Sequence, residues 1–165
     1  MTFNIIIISF IQSLFYIYYN KLTDDDIIDN DNDNNNNNNN KYILLVDDDK
    51  DTLFTFDLYL KSIGYKIVSF VNPVEALNYF NKNFDDCSLV ITDYGMPQMS
   101  GIDLIKKIRE KDQNYTKKII VISATVKNNI INYNDKFLNL KIDKFLEKPI
   151  HLEKLKDEVK LLLIR

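Results

Sequence analysis

From Lys41 onward, short continuous apolar runs alternate with longer amphipathic ones, and this rhythm narrows the fold more than any other feature of the chain. The short runs lie at residues 42–46, 66–70, 89–92, 119–123 and 144–147. Three of them, YILLV, LVIT and IIVIS, lack polar alternation, as expected of parallel strands covered on both faces. Between the runs, apolar residues recur at helical spacing: Leu53, Phe56, Leu60 and Ile63; Val74, Leu77 and Phe80; Ile102, Ile105 and Ile108; Leu152, Leu155, Val159 and Leu162. Five such units predict a doubly wound α/β domain with a five-stranded parallel sheet. Gly64 is placed to stop the first helix, Pro73 to open the second and Gly101 to open the third. The segment 126–140, rich in Asn and β-branched Ile, reads as a weak fourth helix.

The 165 residues fit one domain plus a tail, so residues 41–165 are expected to form that domain. The net charge of −3 is unevenly spread. Residues 1–40 hold one Lys and six Asp, a balance of −5, and the remainder holds 20 basic and 18 acidic residues, a balance of +2. Neither part is basic enough to suggest nucleic acid. The single cysteine, Cys87, excludes an internal disulfide and any Cys/His zinc cluster, and suits a reducing, cytoplasmic setting. It reads as a small packing residue.

Residues 1–22 form an apolar leader. Its core, residues 3–19, sits at the lower edge of what spans a bilayer, and lacks the flanking charge and cleavage site of a secretory signal. A membrane anchor and an unstructured leader both fit it, since Asn4 and Gln12 offset much of the gain from its Ile run. Residues 23–40, ending in seven Asn, have almost nothing to bury and are expected to be a disordered linker.

Open parallel sheets collect their chemistry at the carboxyl ends of the strands. Those ends carry Asp47, Asp48 and Asp49, then Asp93, Ser123 and Lys148. Neighbouring carboxylates raise one another's pKa unless a cation neutralises them, and an oxygen-only donor set selects Mg²⁺ or a similar hard ion. A carboxylate nucleophile, a metal, a hydroxyl and an ammonium together suit phosphoryl transfer to Asp. Taken singly, the Asp run reads equally as a helix N-cap cluster, Ser123 as a loop hydroxyl and Lys148 as a solvated charge.

Four stretches resemble the receiver domain of two-component response regulators: KYILLVDDDKDTLF, LVITDYGMPQMSGIDLIKKIR, IIVISAT and DKFLEKPI. Their order and spacing make the resemblance specific. It implies a flavodoxin-like fold with strand order 2-1-3-4-5 and a phosphoprotein that promotes only its own phosphorylation and dephosphorylation. Asp93 would accept a phosphoryl group from a phosphohistidine. Asp48, Asp93 and the Gly95 carbonyl would bind Mg²⁺ directly, with Asp47 acting through water. Ser123 and Lys148 would bond phosphoryl oxygens, and Phe145 would be the switch aromatic that follows Ser123. Pro149 would follow a cis bond. The implied partner is a histidine kinase or a histidine phosphotransfer protein. The stretch from Ser123 to Lys148 is longer than usual, and Gly95 and Thr125 occupy positions that tune self-hydrolysis in that family.

Two other readings remain open on the sequence. A haloacid-dehalogenase-like phosphatase would use an Asp of the first strand, but its pattern needs Thr or Val four positions on, where this chain has Asp51 after Asp47 and Leu53 after Asp49. A phosphorylation-independent interaction module would keep the fold without the chemistry. His151, at a helix start, reads as an exposed terminal residue rather than a relay histidine.

Overall fold

The computed structural model describes residues 41–124 and 138–163. The leader, the linker, Thr125 and most of the expected fourth helix lie outside these residues. Five strands, β1 (Tyr42–Val46), β2 (Ile67–Phe70), β3 (Cys87–Asp93), β4 (Lys118–Ser123) and β5 (Lys144–Glu147), form one parallel sheet in the order β2-β1-β3-β4-β5. The helices are α1 (Lys50–Ser62), α2 (Pro73–Lys82), α3 (Gly101–Lys111) and α4 (Leu152–Leu163). A 3₁₀ turn at Leu138–Leu140 precedes β5. None of the helices among the described residues is long and apolar enough to cross a membrane.

Burial follows sheet position. Every residue of β1 is buried and β3 and β4 nearly match it, whereas β2 and β5 each bury one residue fully, as edge strands do. Alternation across the pleat sorts the core into two clusters. Tyr42, Leu44, Val46, Val90, Ile119 and Val121 face α2 and α3, meeting Ala76, Phe80, Ile105 and Ile108. Ile43, Leu45, Leu89, Ile91, Ile120 and Ile122 face α1 and α4, meeting Phe56, Leu60, Leu155 and Val159.

The helix boundaries rest on local chemistry. Asp49, Asn72 and Ser100 cap α1, α2 and α3 by accepting backbone N–H bonds from Thr52, Val74 and Asp103. Pro73 is the first residue of α2, and Gly64, at φ +93°, ends the first helical unit in a backbone region that a side chain would strain. Two expected core positions are corrected. Val74 is 39% exposed because α2 turns Pro73, Ala76 and Phe80 inward, and Ile63 is 39% exposed because it caps α1 past its last buried turn.

Gly101 fixes where α3 begins. A Cβ there would stand 2.0 Å from the backbone oxygen of Asp93, so only glycine lets the helix abut the end of β3. Its N–H donates to the carbonyl of Tyr94 at 3.0 Å. Gly101→Ala is therefore expected to destabilise the fold by about 1–3 kcal/mol, as overpacking against immovable backbone does. Urea unfolding of the variant beside the wild type measures the loss.

Candidate functional site

Above the carboxyl ends of the strands opens a cavity of about 360 Å³, lined by Asp47, Asp48, Asp93, Gly95, Ser123 and Lys148, with Asp49, Tyr94 and Ala124 completing its wall. The ends of β1, β3, β4 and β5, with the residues that follow them, thus bring together all six sequence-predicted pocket residues. Phe145 stands apart, half-buried on β5 against the core on the α2 and α3 side.

Burial divides the three carboxylates. Asp47 and Asp93 are 2% and 7% exposed, whereas Asp48 faces solvent. The Lys148 ammonium bridges the buried pair, at 2.9 Å from Asp47 Oδ2 and 2.6 Å from Asp93 Oδ1. The other oxygen of each accepts a backbone N–H: Asp49 to Asp47 Oδ1 at 2.9 Å and Gly95 to Asp93 Oδ2 at 2.6 Å. Burial raises the Asp47 carboxyl above its usual range despite the opposing bonds from Lys148 and Asp49. For Lys148, burial works against the charge, but its bonds with Asp93 and Asp47 outweigh it and hold the ammonium above the ordinary lysine value. Asp49 lies below the usual carboxylate range because it accepts the Thr52 N–H as N-cap of α1.

The loop that carries Lys148 is held to the hydroxyl strand, since the Lys148 N–H donates to the Ser123 carbonyl at 2.9 Å and the Lys148–Pro149 bond is cis. On the other side, the Tyr94 N–H donates to the Ile122 carbonyl at 2.7 Å, tying the end of β3 to β4. Tyr94 and Ala124 gave no sequence signal as pocket residues. They simply follow the strand ends.

The donor set suits a hard cation. It holds only oxygen ligands, and its four carboxylates, Asp47, Asp48, Asp49 and Asp93, against the single Lys148 ammonium leave a formal excess of negative charge that a divalent ion reduces. Gly95 leaves Asp93 approachable, since even a Cβ there would stay 3.7 Å from Oδ2. Among the described residues no three acidic, His or Cys side chains form a closed cage. Mg²⁺ does not require one, because it takes one or two carboxylates and keeps several waters.

The family model for the response regulator receiver domain matches residues 43–160. The chain belongs to this family. It is therefore a receiver domain of two-component signal transduction. Two-component response regulator ARR17 of Arabidopsis thaliana is 31% identical over 110 residues, covering 59% of this chain and 70% of its own length. Hybrid signal transduction histidine kinase L of Dictyostelium discoideum is 28% identical over 102 residues, 61% of this chain, and the chain spans only 6% of that protein. Among solved structures, response regulator TrrA of Thermotoga maritima in complex with Mg²⁺ and beryllium fluoride is 32% identical, with a TM-score of 0.62 over 74% of this chain and 99% of its own.

Proposed function

We propose that this receiver accepts a phosphoryl group on Asp93 from a phosphohistidine, with Mg²⁺ as cofactor. The observation that carries the reading is the Lys148 ammonium shared between Asp93 and Asp47 inside an acidic cavity at the strand ends. An Asp93 carboxylate oxygen forms the new bond to phosphorus as the bond to the donor imidazole nitrogen breaks, and the imidazole leaves with the electron pair. Asp48, Asp93 and the Gly95 carbonyl would hold Mg²⁺, with Asp47 acting through water, and the bound ion would supply charge neutralisation for the incoming phosphoryl oxygens.

The protein's own groups do the rest. Lys148 exchanges its bond to Asp93 for one to a phosphoryl oxygen, and the Ser123 hydroxyl bonds another. Movement of Ser123 toward the phosphoryl group frees space into which the Phe145 ring turns, so the phosphorylated state differs in surface as well as charge. The partner is a histidine kinase or a histidine phosphotransfer protein. The chain acts catalytically only on its own phosphorylation state.

Intact-mass analysis of the full chain with phosphoramidate and Mg²⁺ tests the reading. One phosphoryl adduct is expected, and a chelator in excess over Mg²⁺ abolishes it. A folded protein that takes no adduct would point to phosphorylation-independent interaction, and an adduct on the Asp47–Asp49 run would favour the phosphatase-like chemistry instead.

A further inference from the structure

The sheet has a second rim. At the amino ends of β1 to β4, remote from Asp93, lies a cavity of about 400 Å³. Lys41, Lys66, Lys117 and Lys118 line it, the hydroxyl residues Ser88 and Thr116 stand between them, and no Asp or Glu belongs to its wall. Part of the wall is apolar, formed by Ile43 of β1 and by Leu162 and Leu163 at the end of α4.

The four lysines are not equivalent. Lys118 is compensated by Asp143 at 3.3 Å. Lys117 is only 7% exposed and makes no ion pair among the described residues. Its ammonium lies 4.2 Å from the centre of the Phe84 ring, a contact that attracts the charge without cancelling it. Cys87, also on the wall, supplies no counter-ion, because burial pushes its thiol up to about 12 and leaves it neutral. A desolvated ammonium beside an acid-free cavity calls for an anion.

We propose that this cavity binds a small phosphate-bearing anion through Lys117 and Lys41. Several ammonium groups around one concavity match a multiply charged ligand better than a single carboxylate, and lysine serves phosphate as a point charge. The volume lies within the range of small-molecule sites. The apolar wall and Tyr65, which also lines the cavity, can accept a nucleoside attached to the phosphate. Such a ligand touches the lead-ins of four strands and the end of α4, so its binding raises the stability of the whole sheet by mass action.

The test uses the full chain, with pyrophosphate and ADP as separate probes and EDTA present so that neither probe is carried to the Asp93 cavity by Mg²⁺. Saturable amide shifts are expected in NMR spectra at Gly64, Ser88, Lys117 and Lys118, with a rise in melting temperature. Both persist in Asp93→Asn. Lys41→Glu, on the exposed edge, is expected to weaken binding about tenfold or more, and Lys117→Gln to weaken it while Lys117→Arg retains it. Tighter binding of ADP than of pyrophosphate assigns the site to nucleotides, and equal binding assigns it to inorganic phosphates. Absence of shifts at these amides with both probes, shifts confined to the Asp93 cavity, or affinity unchanged in Lys41→Glu overturns the proposal.

Discussion

Asp93→Asn is expected to abolish the phosphoryl adduct while leaving the fold intact. The substitution removes the carboxylate proposed as nucleophile but keeps a side chain of nearly the same size, with an oxygen that can still accept the Gly95 N–H. Lys148 loses one carboxylate and retains Asp47 at 2.9 Å, so its ammonium is not stranded. Stability should therefore change far less than reactivity, and one fewer buried negative charge offsets part of the lost bond. Mass spectrometry of the variant under the phosphoramidate conditions reads the reactivity, and urea unfolding reads the stability. An adduct persisting in folded Asp93→Asn would assign the nucleophile elsewhere.

The second large effect lies away from the cavity. Asp112, 1% exposed, accepts bonds from the Thr116 N–H and hydroxyl, from the Lys117 N–H and from Arg109 Nη1. Arg109, 7% exposed, also donates to the carbonyls of Lys117, Leu140 and Lys141 at 2.8–2.9 Å. It thereby clasps the turn before β4 to the lead-in of β5. Asp112→Ala leaves a buried guanidinium unpaired, which is expected to cost about 3–5 kcal/mol. That is a large share of the roughly 5–15 kcal/mol that holds a domain of this kind together. Replacing both partners, as in Arg109→Met with Asp112→Leu, should cost less than Asp112→Ala alone, because no charge remains buried.

The same pair sets an acid dependence. Burial alone would raise the Asp112 carboxyl, but the bonds from Lys117, Thr116 and Arg109 overcome it and hold the group below the ordinary aspartate value. Its contribution is thus present above the ordinary aspartate value, about 3.9, and is lost as pH falls through the lower value of the folded state. In unfolding curves, the gap between wild type and Asp112→Ala at neutral pH should narrow as the pH falls below the ordinary aspartate value. A gap at neutral pH below 1 kcal/mol would show that the clasp contributes little.

Much of the fold was legible because burial leaves a direct mark on composition. The three central strands read as unbroken apolar runs, although β3 begins at Cys87 and β4 at Lys118, each earlier than those runs suggested, whereas the edge strands β2 and β5 lie within one residue of their expected bounds. Most of the pocket was legible because its members sit at strand ends, where topology alone brings distant positions together. Lys148 was expected on the phosphoryl group, and its present bonds to Asp47 and Asp93 could not be read from spacing, since they depend on which carboxylate is buried. Arg109 and Asp112 gave no signal at all. Charged residues at the end of a helix ordinarily read as a solvated terminus, and only the return of the chain at Leu140 and Lys141 buries them. Val74 misled because one residue along a helix turns about 100° away from the face of Pro73, Ala76 and Phe80 that the sheet covers.

The sheet that carries the Asp93 cavity also separates the interior into two hydrophobic compartments, whose members are interleaved along the same strands. Leu44 and Leu45 are adjacent in sequence and equally hidden, yet one belongs to the compartment beneath α2 and α3 and the other to that beneath α1 and α4. Thermodynamic additivity therefore follows the pleat rather than the sequence. Paired truncations on opposite faces combine nearly as independent losses, and paired truncations on one face, such as Leu45 with Leu60, couple through the space they vacate together.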